Sequence, residues 1–587
     1  MIFGFINRKM GIESNSSYLA DIKDDLSFNK KLHIENFKDK NIFLLHAYSA
    51  YEGQKMLVEN EDKTLLLLMG GMNFGYEHKI NDLIRSQHIF KYSNSPAEVI
   101  LHSFEQSGID VFKNLNGKFA LAIWNKNNKH LVLANDLFGL YPLFIYNSED
   151  ALIFCSQYQP ILKYKNFRKE LNHDAIAEYF IFGATLANKT FFKRISILPP
   201  ASIIELKSNN LKLRQYDRLD IGIDRDKPIK YFTEQANEKL RSAIRACIKE
   251  YEINNCELSG GLDTRFILGN ILPHNLKNMQ FKTRLISYMK GDSDKDVICA
   301  KKLAEELNLH HEISRSSKLI DFSENYFEKL RDKYLFDAYV LSGLCGGELL
   351  GGGYLYIYNN FIISYDRKKY LNRLNGFFSS SFITRTADKR DYLTAPKFEK
   401  RKNILKNIPL QLSINLLNRS FFSAVYDNGV FSGWIQPFQN YLGCRIYPFL
   451  DTEFLKFLFT VPPEYLQFSN LYLEVMKKYY RGLLKLPFAS GTCRDGRLKQ
   501  LKCGQYPKNQ LYQKIKRFKS YELLRTYMEQ PSSWGKENYN KNYYSKIKAV
   551  FKFNKYLNYD IAFNADIIRF INFEAWMREY CADSFEK

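Results

Sequence analysis

The stretch Glu257-Leu258-Ser259-Gly260-Gly261-Leu262-Asp263-Thr264-Arg265 decides how the second half of this 587-residue chain folds. The residues before it, 253–258, can form a short buried strand, and apolar side chains after it recur at helical spacing. The pattern predicts a strand, a glycine turn and a helix whose first amides point at a ligand. Two consecutive glycines let the backbone come close to an anion.

The side chains of this loop predict a phosphate site. The hydroxyls of Ser259 and Thr264 would add donors on either side of Gly260 and Gly261. A carboxylate repels phosphate unless a cation lies between them, so the natural role of Asp263 is to hold Mg²⁺. No Gly-Lys-Ser/Thr closes the loop, so it is not a Walker loop. A glycine turn without a ligand is the alternative.

The loop resembles the pyrophosphate loop, Ser-Gly-Gly-x-Asp-Ser/Thr, of enzymes that split ATP between its α- and β-phosphates. The resemblance implies that ATP and Mg²⁺ are the cofactors, with Leu258 at the end of the strand as part of the nucleotide site. In those enzymes the products are an adenylate and pyrophosphate.

Composition limits the class of protein. The length predicts two or three domains, and no apolar run approaches the ~18 residues of a membrane span. Residues 1–9 lack the pattern of a secretory signal, so we expect a cytoplasmic protein without membrane contact. The nine cysteines form no Cys-x-x-Cys pairs and are interpreted as core residues or free thiols, so zinc is disfavoured. The formal charge of +22 comes largely from dispersed lysines, which we interpret as solvated helix faces rather than a nucleic-acid surface.

Residues 1–210 predict an antiparallel, sheet-dominated domain, with strands near 64–69, 119–124, 131–134, 151–156 and 203–206 and a helix at 96–106. Four ordered segments carry a resemblance to the amidotransferase domain of the glutamine-dependent asparagine synthetases. They are residues 114–124 (NLNGKFALAIW), 134–146 (ANDLFGLYPLFIY), 154–157 (FCSQ) and 197–200 (ILPP). The resemblance implies a glutaminase-like sandwich.

Departures from that family predict a domain without glutaminase activity. The family's nucleophile is a cysteine exposed as the new N-terminus, whereas this chain has Ile2, and its first cysteine is Cys155. The family's glutamine-holding Asn-Gly-Glu segment corresponds to Gly70, Gly71 and Met72. The side chains that would grip glutamine are therefore also missing.

Residues 228–587 predict successive β-α units of a parallel sheet, with a helix at 231–250, a strand at 285–288 and a helix at 294–307. In the synthetases the second strand's end borders the nucleotide, which would place Ser287 and Tyr288 beside it. His310 is interpreted as a packed or exposed histidine rather than a base.

A third segment, residues 340–354 (VLSGLCGGELLGGGY), resembles the family's second glycine-rich loop. It implies that Ser342 and Gly343 contact the nucleotide and that Glu348 is a catalytic or Mg²⁺-binding carboxylate; capping of the next turn is the alternative. Two family carboxylates are replaced, by Leu344 and Gly347.

The later region supplies a cation. Residues 445–451 and 461–464 also match the synthetases, with Asp451 expected to cap the helix that begins at residue 452. The family has a lysine near 485–492 that neutralises charge on the adenylate, and Lys485 is the predicted counterpart. The other candidates in this region are Lys477, Lys478 and Arg481. A Lys- and Tyr-rich extension starts at about residue 494 and is expected to pack on the domain.

The sequence therefore predicts an α+β Ntn-hydrolase-like sandwich followed by an α/β adenine-nucleotide hydrolase-like (PP-loop) synthetase domain. The implied enzyme adenylates a small-molecule or peptide carboxylate and passes the acyl group to an amine. The amine donor stays open, because relatives with a dead first domain close β-lactam or macrolactam rings with an amine of the substrate. A tRNA-base-adenylating enzyme and a non-catalytic nucleotide-binding protein are the alternatives from other classes. A homodimer and a precursor peptide are possible partners.

Overall fold

A computed structural model describes the chain over most of its first half and several segments of its second half. The described residues are 1–27, 32–49, 54–92, 95–137, 139–173, 175–176, 185, 188–217, 222–251, 253, 255–271, 280–284, 295–314, 339–343, 346–351, 445–458, 460–466, 470–486, 530, 573–574, 577–578 and 581. Within these residues no helix is both long and apolar enough to cross a membrane.

The N-terminal domain contains two antiparallel sheets, which run β10-β8-β9-β1-β3-β2 and β12-β11-β7-β6-β5-β4. The strands are β1 Ile2–Asn7, β2 Leu32–Lys38, β3 Ile42–Ser49, β4 Leu57–Glu59, β5 Leu65–Asn73, β6 Gly117–Asn125, β7 His130–Asn135, β8 Phe144–Asn147, β9 Ala151–Cys155, β10 Ile195–Ile197, β11 Ser202–Lys207 and β12 Asn210–Gln215. The helices are α1 Ser16–Ser27, α2 Glu77–Arg85, α3 Pro96–Ser107 and α4 Gln159–Lys163.

Alternation along the strands explains the layers of this domain. In β1, Ile2 and Ile6 join the core between the two sheets. Phe3 and Phe5 point the other way and pack against Tyr18 of α1, with ring centroids 6.3 and 5.5 Å away. The opposite face of the second sheet packs against α3. The predicted sandwich is confirmed, and each predicted strand and the predicted α3 are present.

The second domain is built on a parallel sheet of order β15-β14-β13-β16-β17. Its strands are β13 Asn255–Glu257, β14 Gln280–Arg284, β15 His311–Ser314, β16 Val340–Leu341 and β17 Arg445–Ile446. Its helices are α5 Ile229–Tyr251, α6 Leu262–Ile271, α7 Lys295–Glu306, α8 Gly346–Gly351, α9 Thr452–Leu458, α10 Pro463–Leu466, α11 Asn470–Tyr479 and α12 Arg481–Leu484. The chain thus winds outward from β13 in one direction, then returns to β16 on its other side.

That reversal of direction makes the gap between β13 and β16 the switch point of the sheet. Open parallel sheets bind ligands at this point, outside the carboxyl ends of the strands. The predicted β13 and α6 are confirmed, as is α7. A second strand is described at Gln280–Arg284. The predicted strand at 285–288 lies outside the described residues and stays a prediction. His310 is exposed, as expected.

The two domains meet through hydrogen bonds between Asn116 and the start of α9. Asn116 Nδ2 donates to Asp451 Oδ2 at 2.6 Å, and Asn116 Oδ1 accepts from the amide of Thr452 at 2.9 Å. Asp451 Oδ1 accepts from the amide of Phe454 at 2.9 Å, so the predicted cap is confirmed. A cavity of about 20 Å³, room for about one water, lies beside this contact and is also lined by Met72.

Asn116→Ala is expected to destabilise the domain contact by about 2–3 kcal/mol, because it removes a donor to a buried carboxylate.

Burial raises the pKa of Asp451. Because its folded pKa lies above the unfolded one, ionisation of Asp451 weakens folding at neutral pH, and this cost declines as the pH falls toward the unfolded pKa. Thermal unfolding at pH 7 and 5 measures both effects. The exposed Asn127→Ala is the control, and equal midpoints for the two variants would contradict the expectation.

The end of the C-terminal extension packs on the N-terminal domain. Phe573, Met577 and Cys581 follow helical spacing and are all buried, and the Cys581 amide donates to the Met577 carbonyl at 2.8 Å. Phe573 contacts Phe191 edge to face at 5.7 Å. The expectation that this segment packs rather than extends into solvent holds for these residues.

Candidate functional site

Two glycine-containing loops meet at the switch point. The first follows β13 and the second follows β16. The Ser342 hydroxyl donates to the Glu257 carboxylate, which joins the ends of the two strands. Ser342 is completely buried, so its hydroxyl fastens the loops together. The sequence prediction assigned Ser342 to the nucleotide, and that role stays a prediction beside this structural bond.

The first loop is held by its own hydroxyl groups. The Ser259 amide donates to Thr264 Oγ1 at 3.3 Å, and the Gly261 amide donates to Ser259 Oγ at 3.1 Å. Thr264 Oγ1 also donates to the Ser259 carbonyl at 3.2 Å. The hydroxyls therefore hold the shape of the loop, and their predicted role as donors to a ligand stays a prediction. An anion would reach the Gly261 amide by displacing Ser259 Oγ.

Asp263 lies in the first turn of α6 and directly against the second loop. A Cβ atom built on Gly343 would come within 3.0 Å of Asp263 Cβ, and one on Gly346 within 2.7 Å of Asp263 Oδ1. Only glycine at these two positions leaves the Asp263 side chain where it is. The two loops thus bring Asp263, Gly343 and Gly346 together, and a carboxylate at the carboxyl edge of the sheet is a suitable ligand for Mg²⁺.

Other predicted site residues fall partly outside the described part of the chain. Glu348 and Gly347 lie in α8, next to Gly346, but their side-chain environment is outside the described residues. Ser287, Tyr288 and Leu344 lie entirely outside them. Their predicted roles stay predictions. Leu258 and Gly260 are buried at the end of β13.

Arg265 connects α6 to the segment that carries Lys485. Its guanidinium is buried, and Nη1 donates to the Leu483 carbonyl at 2.6 Å and to the Leu486 carbonyl at 3.1 Å. Burial lowers the pKa of Arg265 to about 10, so the side chain stays charged at neutral pH. The sequence analysis quoted Arg265 without assigning it a role. A charged residue among the apolar residues of α6 was the sequence feature that could have indicated a buried arginine.

Among the predicted cations, Lys485 is the one this anchoring serves. It follows α12 directly, is exposed, and lies between the two carbonyls that Arg265 holds. Lys477 pairs with Glu474 at 2.9 Å, and Lys478 pairs with Glu234 of α5 at 2.7 Å. Lys477 and Lys478 are thus paired with carboxylates, and the predicted role of Lys485 at the nucleotide stays a prediction.

Among the described residues of the N-terminal domain, Ile2 and Tyr141 pack against Gly70. Ile2 is completely buried, and its amide donates to Ser156 Oγ at 3.2 Å. A Cβ on Gly70 would lie 2.5 Å from Tyr141 Oη and 2.9 Å from Ile2 Cγ2. The space next to Gly70 is therefore filled by an aromatic ring and a branched alkyl group. Cys155 is also buried, which raises its thiol pKa and keeps it protonated.

The sequence of the N-terminal domain matches a known class. Residues 45–217 match the family model of a glutamine amidotransferase domain. Longer matches extend into the second domain. The chain is 28% identical over 262 residues to asparagine synthetase [glutamine-hydrolyzing] 2 of Bacillus subtilis, covering 42% of this chain and 34% of that protein. It is 25% identical over 304 residues to putative asparagine synthetase [glutamine-hydrolyzing] 1 of Methanocaldococcus jannaschii, covering 50% and 51%.

The chain is similar to asparagine synthetases over part of its length, which agrees with the resemblance that its sequence motifs indicated. It spans about a third to a half of the length of these two curated relatives. Among solved structures, glutamine phosphoribosylpyrophosphate amidotransferase of B. subtilis aligns over 58% of this chain and 74% of that chain at 14% identity. Its TM-score is 0.26, too low to indicate a shared overall fold.

Proposed function

We propose that this protein is an ATP-dependent ligase that adenylates a carboxylate, releases pyrophosphate and transfers the acyl group to an amine. One observation carries the proposal: both glycine loops lie at the switch point of a parallel sheet of order β15-β14-β13-β16-β17, with Asp263 between them. The names of its relatives support a ligase that forms amides. AMP formation distinguishes this mechanism from ligases that release ADP.

Each group of residues in the site would have a different role. Asp263 and Glu348 would hold Mg²⁺, which neutralises charge on the phosphates when bound. The amides of Gly260 and Gly261 and the start of α6 would receive the phosphate oxygens. Lys485 would place a fixed positive charge near the α-phosphate, where negative charge develops.

Three further residues act through their neighbours. Arg265 fixes the turn that carries Lys485, and the bond between Ser342 and Glu257 fixes the spacing of the two loops. A displacement of about 1 Å in such a site can reduce the rate by about 100-fold. All three are positioning residues in these contacts.

The experiment that tests the proposal is ATP–pyrophosphate exchange with the full chain and a panel of carboxylates that begins with aspartate. Exchange that depends on one acid, together with release of AMP, is the expected result. A protein that binds ATP but gives no AMP or pyrophosphate with any acid would instead be a nucleotide-binding protein without ligase activity. Transfer of AMP to tRNA would indicate the base-modifying class.

The N-terminal domain is expected to release no glutamate from glutamine, because Ile2 and Tyr141 fill the space beside Gly70. Ile2→Cys is expected to stay inactive as well, since a thiol alone does not reopen that space. Glutamate release is measured with and without ATP, with a glutamine-hydrolysing relative as the positive control. Glutamate formed by the unmodified chain would show that this inference is wrong.

The same filled space favours a second candidate, in which the amine comes from the substrate itself and the product is a macrolactam or β-lactam ring. No ammonia source is then needed. The discriminating measurement is whether ammonium salts raise AMP release once the acid is known. A stimulation by ammonium favours an asparagine-synthetase-like reaction, and its absence favours ring closure.

A further inference from the structure

Four side chains with metal-binding atoms converge in the N-terminal domain, away from the ATP site. Glu61 lies in the turn between β4 and β5, and His88 lies just after α2. His102 and Glu105 lie three residues apart on α3. One ligand atom from each residue can be chosen so that all four lie within 4.8 Å of one another.

The atoms of each histidine and each carboxylate lie close enough together to share one small ion, with Glu61 offering a different oxygen to each histidine. His88 Nδ1 is 3.1 Å from Glu61 Oε1 and 3.7 Å from Glu105 Oε2. His102 Nδ1 is 3.6 Å from Glu61 Oε2 and 2.9 Å from Glu105 Oε2. A tetrahedron with zinc–ligand bonds of about 2.0–2.1 Å has edges of about 3.3–3.4 Å. The four distances lie on both sides of that value.

Neighbouring groups orient the two carboxylates. Asn60 is buried, and its Nδ2 donates to Glu105 Oε1 at 2.7 Å. The Ile89 amide donates to Glu61 Oε1 at 2.8 Å. Such outer hydrogen bonds to ligand carboxylates are typical of metal sites, where they fix the ligand geometry.

The closeness of the two carboxylates is the second argument for a cation. Glu61 and Glu105 each offer an oxygen to a group of atoms that lie within 4.8 Å of one another. Like charges at such a distance repel each other, and a cation between them removes that repulsion. His102 is completely buried, and its Nδ1 faces both carboxylates.

We propose that Glu61, His88, His102 and Glu105 bind one divalent transition-metal ion of the zinc class. Four protein ligands leave no open position, so the site is structural rather than catalytic. The metal would fasten the turn before β5 and the segment after α2 onto α3. The proposal does not depend on the ligase activity of the second domain.

The test uses the full chain, freed of metal with a chelator and then titrated with Co²⁺. We expect one equivalent of Co²⁺ bound with the visible absorption of a tetrahedral site, displaced by one equivalent of Zn²⁺. Zn²⁺ is also expected to raise the midpoint of thermal unfolding, because it binds only the folded domain. His88→Gln and Glu61→Gln are expected to lose the bound equivalent and the shift, and these partly exposed residues are tolerant sites for substitution.

His130→Gln is the matched control, because His130 also faces a carboxylate, Glu205, at 3.5 Å in the same domain. This variant should retain the Co²⁺ spectrum. Less than one equivalent in the unmodified chain, or a spectrum that survives both His88→Gln and Glu61→Gln, would overturn the proposal. The second result would place the metal elsewhere, for example on cysteines.

Discussion

Asp263→Asn is expected to reduce ATP–pyrophosphate exchange by about 1,000-fold, which corresponds to about 4 kcal/mol. The asparagine has the shape of the aspartate, so the contacts with Gly343 and Gly346 remain and the fold is unchanged. What is lost is the negative charge that would hold Mg²⁺ against the phosphates. Exchange is measured at saturating ATP over a range of Mg²⁺ concentrations.

The control for this variant is Asp226→Asn, an exposed aspartate in the segment before α5. It is expected to leave exchange unchanged. Thermal unfolding of both variants checks that neither has lost stability. If Asp263→Asn kept its exchange within a few-fold of the unmodified chain, the proposed metal role of this carboxylate would have to be abandoned.

Local patterns were sufficient to predict the elements that carry the site. The strand before Ser259 and the helix after it follow from a short apolar run, two glycines and helical spacing, all within twenty residues. The cap at Asp451 is local too, since its partner amide is that of Phe454. Features of this kind depend on neighbours in the sequence, and the sequence predicted them correctly.

Long-range contacts were not predictable in the same way. Ser342 bonds to Glu257 across 85 positions, and Arg265 reaches a carbonyl 218 positions away. Their partners could not be predicted from the sequence, because a buried hydroxyl or guanidinium bonds to whichever acceptor the packing supplies.

The metal-ligand cluster shows the same limit. On α3, His102 and Glu105 are three residues apart, a spacing that places both on one face of a helix. That local signal was present in the sequence. Glu61 and His88 come from separate turns, and only the packing of α2 and α3 brings them together. Local spacing in the sequence therefore indicated two of the four ligands.

Gly346→Ala is expected to lower ATP–pyrophosphate exchange by about 100-fold while leaving the domain folded. The new Cβ would lie 2.7 Å from Asp263 Oδ1 and 2.7 Å from Phe449 Cζ, so the carboxylate must move. A displacement of about 1 Å in a reacting site is enough for a loss of this size. Alanine favours helices over glycine by about 1 kcal/mol, so α8 itself is not weakened.

Gly482→Ala is the matched control, because a Cβ at Gly482 meets no atom within 4 Å and the residue lies in α12 beside Lys485. It is expected to keep full exchange. Because Gly346→Ala moves the carboxylate and Asp263→Asn removes its charge, the double variant should be no worse than Asp263→Asn alone. A multiplicative loss in the double variant would mean that Gly346 acts on something other than Asp263, and that the second loop contributes to the site independently of the carboxylate.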